Sequence, residues 1–92
     1  MSDWLGLTGR TAAVTGGGSG IGQGCALALA RAGVTVWALD RDESALADTA
    51  QQAAAEGTVV TGLACDVTDI ASVRRAATTA GAVDILVNAA GI

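Results

Sequence analysis

The chain has 92 residues and a formal net charge of −4, from nine Asp and Glu against five Arg, and it contains no His, Tyr, Lys, Phe or Pro. Without His there is no Ser-His-Asp or Cys-His nucleophile pair and no HExxH zinc helix. Without Tyr and Lys, general acid/base chemistry is left to carboxylates. Arg10, Arg31 and Arg41 are scattered and only Arg74 and Arg75 are adjacent, so the chain offers no basic face and nucleic acid is disfavoured as a partner.

Cys25 and Cys65 lie forty positions apart in apolar stretches, with no CxxC spacing, and read as buried, reduced thiols of a cytoplasmic protein. The opening MSDWLGLTGR is polar and acidic, unlike a secretory signal. Thr11 to Ala30 is uncharged for twenty residues, the length of a membrane span, but six glycines, two Thr, a Ser and a Gln interrupt it. It reads as strand, glycine loop and helix, and no membrane partner is expected.

In chain order, TAAVT (11–15) is the first strand and ends in a glycine cluster. A helix from Ile21 to Ala32 follows, with Ile21, Cys25, Ala28, Leu29 and Ala32 on one face and Gly33 as its C-terminal cap. VTVWALD (34–40) is a buried strand ending in a carboxylate. A second helix starts near Asp42, carries Asp42 and Glu43 in its first turn, and ends at Glu56 before Gly57. TVVTGLACD (58–66) is the third strand. Thr68 is positioned to cap a third helix running from Asp69 to about Ala80, followed by Gly81. Asp84 leads into ILV (85–87) and then NAAGI (88–92).

This β-α-β-α-β-α-β alternation of apolar strands specifies an α/β fold, a Rossmann-like doubly wound parallel sheet with helical crossovers. The right-handed crossover rule gives strand order 3-2-1-4, with two helices on one face and the third beginning to cover the other. One helix cannot shield a four-stranded face, and Ile85, Leu86 and Val87 would form an edge without charge or Pro. A second half, or a companion chain, is therefore expected to pair with the fourth strand.

The segment Thr15-Gly16-Gly17-Gly18-Ser19-Gly20-Ile21-Gly22 joins the first strand to the first helix. A strand-to-helix turn gathers unpaired N–H groups and the positive end of the helix dipole at one point, which suits a pyrophosphate. No register of the glycines satisfies G-x-G-x-x-G, and a Walker A loop needs a Lys that the chain lacks. What remains is T-G-x-x-x-G-x-G, with glycines at 16, 20 and 22. A merely flexible turn is the alternative.

This loop resembles the cofactor loop of the short-chain dehydrogenase/reductase family, and three further segments fit in the right order. Asp40 closes the second strand eighteen residues after Gly22, where a carboxylate can accept hydrogen bonds from the adenosine ribose and repel a 2′-phosphate. That favours NAD over NADP, and Ser19, where relatives that prefer NADP often carry a basic residue, points the same way. Arg41 is the counter-signal, because a guanidinium there could approach a phosphate. The resemblance places Asp66 and Val67 beside the adenine; a helix-start acid is the competing reading of Asp66. Asn88-Ala89-Ala90-Gly91 matches the family's Asn-Asn-Ala-Gly segment, with Asn88 expected to bond the backbone of a neighbouring strand and the small residues to leave room for the inner ribose.

The implied cofactor set is thus Gly16, Gly18, Ser19, Gly20, Ile21, Gly22, Asp40, Arg41, Asp66, Val67, Asn88, Ala89, Ala90 and Gly91, holding a nicotinamide dinucleotide. The family's catalytic Ser, Tyr-x-x-x-Lys and Asn follow the Asn-Asn-Ala-Gly strand, and this chain has neither Tyr nor Lys. The resemblance implies an oxidoreductase acting on a secondary alcohol or its ketone, a homo-oligomer when complete, of which this chain is the cofactor-binding part. A non-catalytic dinucleotide-binding module, or an inactive fragment that needs a partner chain, are the alternatives.

Overall fold

Seven elements alternate along the chain in a computed structural model that describes residues 7–18, 20–66 and 68–89: β1 (Thr11–Thr15), α1 (Gly20–Arg31), β2 (Thr35–Asp40), α2 (Glu43–Ala55), β3 (Val60–Ala64), α3 (Ile70–Ala80) and β4 (Ile85–Asn88). All paired strands are parallel, in the order β3-β2-β1-β4. The expected order therefore holds. The expected third strand shortens from 58–66 to Val60–Ala64, because the flanking residues serve the turns on either side: Thr58 donates both its N–H and its hydroxyl to the Ala53 carbonyl at the end of α2.

The strand alternation divides the core between the two faces. Ala12, Val14, Val36, Ala38 and Val60 point to the face covered by α1 and α2, where they pack with Ala26, Leu27, Ala30, Leu46 and Ala53. Ala13 and Leu39 point to the other face and meet Cys65, which directly follows β3, and Ala76 of α3, with Trp37 and Leu63 partly buried beside them. The second face is thinly covered. A cavity of about 720 Å³ lies between α3 and the sheet, lined by Ala13, Leu39, Cys65, Ala80, Val83 and Leu86 among others, and Leu86 on β4 is 69% exposed.

Three expectations need correction. The buried stripe of α1 is Gly22, Ala26, Leu27 and Ala30, with Cys25 and Leu29 only partly buried, so it is rotated from the expected Ile21, Cys25, Ala28, Leu29 and Ala32. The close approach of Gly22 to the loop sets that rotation, and it leaves Ile21 60% exposed at the head of the helix. Asp69, not Thr68, caps α3: its carboxylate accepts from the Ala71 N–H, while Thr68 is drawn into a turn with Asp66. Both cysteines are free, as expected, but only Cys65 is buried and Cys25 is half-buried. Asp42 caps α2 through a bond from the Ala45 N–H, which holds its carboxyl below the usual range. Among the described residues, no helix is long and apolar enough to cross a membrane.

Candidate dinucleotide site

The glycine loop, Asp40, Asp66 and Asn88 all sit at the carboxyl ends of the strands, because every strand is parallel and every one of these residues ends a strand or follows it. β1 lies where the chain's course reverses, with β2 on one side and β4 on the other. In open parallel sheets the crevice above such a switch point is where ligands bind.

The loop turns tightly. Gly16 and Gly20 have φ of 68° and 60°, the left-handed region that side chains disfavour. Gly17 donates its N–H to the Leu39 carbonyl at 3.1 Å and lies so close to β2 that a methyl there would stand 2.7 Å from the Ala38 Cβ. A methyl on Gly18 would stand 2.7 Å from the Ala45 Cβ and 2.8 Å from Asp40 Oδ2, and one on Gly22 would run into the Gly16 carbonyl. The absent side chains thus let α1, β2 and α2 close on one strip of backbone. The first turn of α1 holds no acidic residue to compete for the positive end of the helix.

Asp40 is pinned at both oxygens. Oδ2 accepts from the Gly18 N–H at 3.2 Å and Oδ1 from the Asp42 N–H at 3.1 Å, leaving one lone pair on each oxygen for a further donor. Asp66 Oδ1 accepts from the Thr68 hydroxyl at 2.6 Å and the Thr68 N–H at 2.9 Å. Those two bonds, in that order, and the attraction of Arg41 hold the Asp66 carboxyl below the usual range. The Asp66 N–H in turn donates to the buried Ser72 hydroxyl at 2.9 Å, which ties the turn to α3.

Asn88 differs from expectation in its partner. Its Oδ1 accepts from the Thr15 hydroxyl at 2.8 Å, so the side chain meets a side chain of β1, and the neighbouring backbone bond runs from the Ala89 N–H to the Thr15 carbonyl at 3.2 Å. The pair still joins β1 to β4 at the site. Ser19, Val67, Ala90 and Gly91 lie outside the described residues. Gly16, Gly18, Gly20, Ile21, Gly22, Asp40, Arg41, Asp66, Asn88 and Ala89 are brought to this one end of the sheet.

Sequence reasoning missed three contributors: Gln23, Thr49 and Ser72. Thr49 is fully buried on α2 and its hydroxyl donates to the Gly17 carbonyl at 2.9 Å, while Gln23 Nε2 donates to Thr49 Oγ1 at 3.0 Å. The signal was available. Leu46, Thr49 and Ala53 recur at helical spacing, and a Thr inside such a stripe must have a hydrogen-bond partner.

Compared with known proteins, residues 10–92 match the family model for short chain dehydrogenase. The chain is 41% identical over 90 residues to a D-threitol dehydrogenase of Mycolicibacterium smegmatis, covering 94% of this chain and 35% of that protein. Its structure is similar to that of a hydroxysteroid dehydrogenase from Escherichia coli, with TM-score 0.88, 35% identity, and coverage of 96% of this chain and 39% of that one. An actinorhodin polyketide ketoreductase solved with NADPH superposes with TM-score 0.78 at 36% identity, covering 90% of this chain and 33% of that one. The chain spans about a third of the length of the curated relatives it matches.

Proposed function

We propose, because the chain belongs to the short chain dehydrogenase family, that it is the dinucleotide-binding part of an oxidoreductase that interconverts a secondary alcohol and a ketone, with NAD preferred over NADP. The observation that carries the reading is the pinned Asp40 carboxylate beside a glycine loop shaped for close approach. The loop and the N-terminus of α1 are suited to the pyrophosphate. Asp40 would accept the adenosine ribose hydroxyls through its remaining lone pairs, and its charge would repel a 2′-phosphate.

Asp66 would offer Oδ2 to the adenine amino edge while Thr68 occupies Oδ1. Ile21, exposed above the loop, would lie against the cofactor, and Asn88 with Ala89 would border the inner ribose. When bound, the nicotinamide ring donates or accepts the hydride. With no Tyr or Lys in these 92 residues, the groups that handle the substrate proton come from elsewhere in the enzyme. The exposed Leu86 edge and the apolar cavity beside α3 support a further half, or a companion chain, seated against β4.

Calorimetric titration tests the cofactor assignment. Asp40→Ser is expected to weaken NAD by about tenfold, through loss of a charge-assisted hydrogen-bond acceptor, and to improve NADP relative to it. An unchanged preference would overturn the assignment. Light scattering tests the partner: a soluble, stable monomer of these 92 residues alone would refute it.

A further inference from the structure

Thr49 and Ser72 are the buried polar side chains among the described residues, and both reach from a helix to a loop at the carboxyl end of the sheet. Of the two, Thr49 touches the glycine loop. Its hydroxyl is 2.9 Å from the Gly17 carbonyl, 3.3 Å from that of Gly18 and 3.2 Å from that of Ala45, and it has one proton to give, so the shortest contact defines the bond. Gln23 Nε2 supports the arrangement by donating to Thr49 Oγ1 at 3.0 Å and to the Gly18 carbonyl at 3.4 Å.

The peptide group between Gly17 and Gly18 is trans and planar, so its C=O and N–H point in opposite directions. Thr49 holds the C=O end. The N–H end donates to Asp40 Oδ2 at 3.2 Å. One rigid peptide therefore stands between a fully buried hydroxyl on α2 and the carboxylate at the end of β2. Rotation of that peptide is blocked at one end by Thr49, and its direction at the other end sets where Oδ2 sits.

We infer that Thr49 is a positioning residue for cofactor discrimination: acting through the Gly17–Gly18 peptide, it fixes the Asp40 carboxylate in the orientation that receives the adenosine ribose and rejects a 2′-phosphate. This rests on the reading of Asp40 given above. Losing the hydroxyl leaves the Gly17 carbonyl unpaired and frees the peptide to turn, so the Gly18 N–H no longer steers Oδ2. The loss should fall on NAD, which uses Asp40, and spare NADP, which Asp40 opposes.

The test is titration of the intact protein with NAD and NADP, together with the amide spectrum of Gly18. Thr49→Val is expected to weaken NAD by about five- to tenfold, the worth of one oriented hydrogen bond, and to change NADP by less than about twofold. The Gly18 amide resonance should move upfield and exchange faster, and Thr49→Ser should restore both readouts. In an Asp40→Ser background, Thr49→Val should cost NAD less than about twofold, because the two residues act in series. Should Thr49→Val fail to fold, Gln23→Met removes the supporting donor without opening the core and should narrow the preference by about two- to threefold.

Equal losses for both cofactors, or the same loss with and without Asp40, would overturn the inference and leave the Asp40 assignment standing. If Asp40→Ser itself leaves the preference unchanged, the underlying assignment falls, and the inference with it.

Discussion

Two glycines of α1, only two positions apart, are expected to respond to alanine with opposite signs. Gly24 is exposed in the helix interior, and a methyl there meets nothing within 4 Å. Ala replaces Gly at such a site with a gain of about 0.5–1 kcal/mol from the reduced freedom of the unfolded chain. For a domain of this size that raises Tm by roughly 2–8 °C. Gly22 is buried, and its methyl would collide with the Gly16 carbonyl and lie 3.1 Å from the Gly17 nitrogen.

Those obstacles are backbone atoms of the loop, which no rotamer change can move. Overpacking of this kind costs about 1–3 kcal/mol, at the upper end where the partner is rigid. The same helical gain of up to about 1 kcal/mol offsets part of it, leaving a net loss of about 1–2 kcal/mol and a Tm lowered by roughly 4–16 °C. The loop must also retreat from the helix terminus, so NAD affinity is expected to fall more than about tenfold in Gly22→Ala and to hold within about twofold in Gly24→Ala. Thermal unfolding and calorimetric titration of both variants provide the check. Shifts in Tm of the same sign, or a Gly22→Ala protein that keeps its affinity, would refute the steric account.

Other expectations follow from the same contacts. Asp42, Glu56 and Asp66 are held below their ordinary values of 3.8, 4.5 and 3.8 by the Ala45 N–H, the Arg31 guanidinium and the Thr68 hydroxyl respectively. Each folded value lies below the unfolded one, so the stability they contribute is complete above about pH 5 and declines as pH falls through the lowered values; urea midpoints should be flat above that point and drop below it. Glu56→Gln should remove part of the acid-side slope, since the contact from Arg31 Nη2 to Glu56 Oε2 at 2.7 Å is a charge-assisted ion pair only while the carboxylate is ionised, and an unaltered slope would refute that assignment. Thr15→Val keeps the shape of the side chain but removes the donor to Asn88 Oδ1, so it is expected to cost about 0.5–1 kcal/mol, read as a Tm lowered by roughly 2–8 °C. An unchanged Tm would show that the link between β1 and β4 does not depend on that hydroxyl.

Much of this protein could be read from residue order because its signals are local. Short apolar runs alternating with longer Ala-rich stretches specify parallel strands and crossover helices, and the handedness of crossovers then leaves the order β3-β2-β1-β4. The glycine pattern after Thr15 and the Asp at the end of β2 are spaced by the length of one helix and one strand, so they reach the same end of the sheet in any such fold. Tertiary packing decided what depends on a second element. The seating of Gly22 against Gly16 turned α1 so that Ile21 faces outward and Gly22, Ala26, Leu27 and Ala30 face inward, a rotation that periodicity alone cannot resolve in a helix this rich in small residues. The competition between two carboxylates for the turn before α3 gave the cap to Asp69 and left Thr68 to Asp66. Thr49 became a member of the site only because α2 packs its buried hydroxyl against a carbonyl 32 residues earlier in the chain, a contact that exists only once the two helices lie on the same face of the sheet.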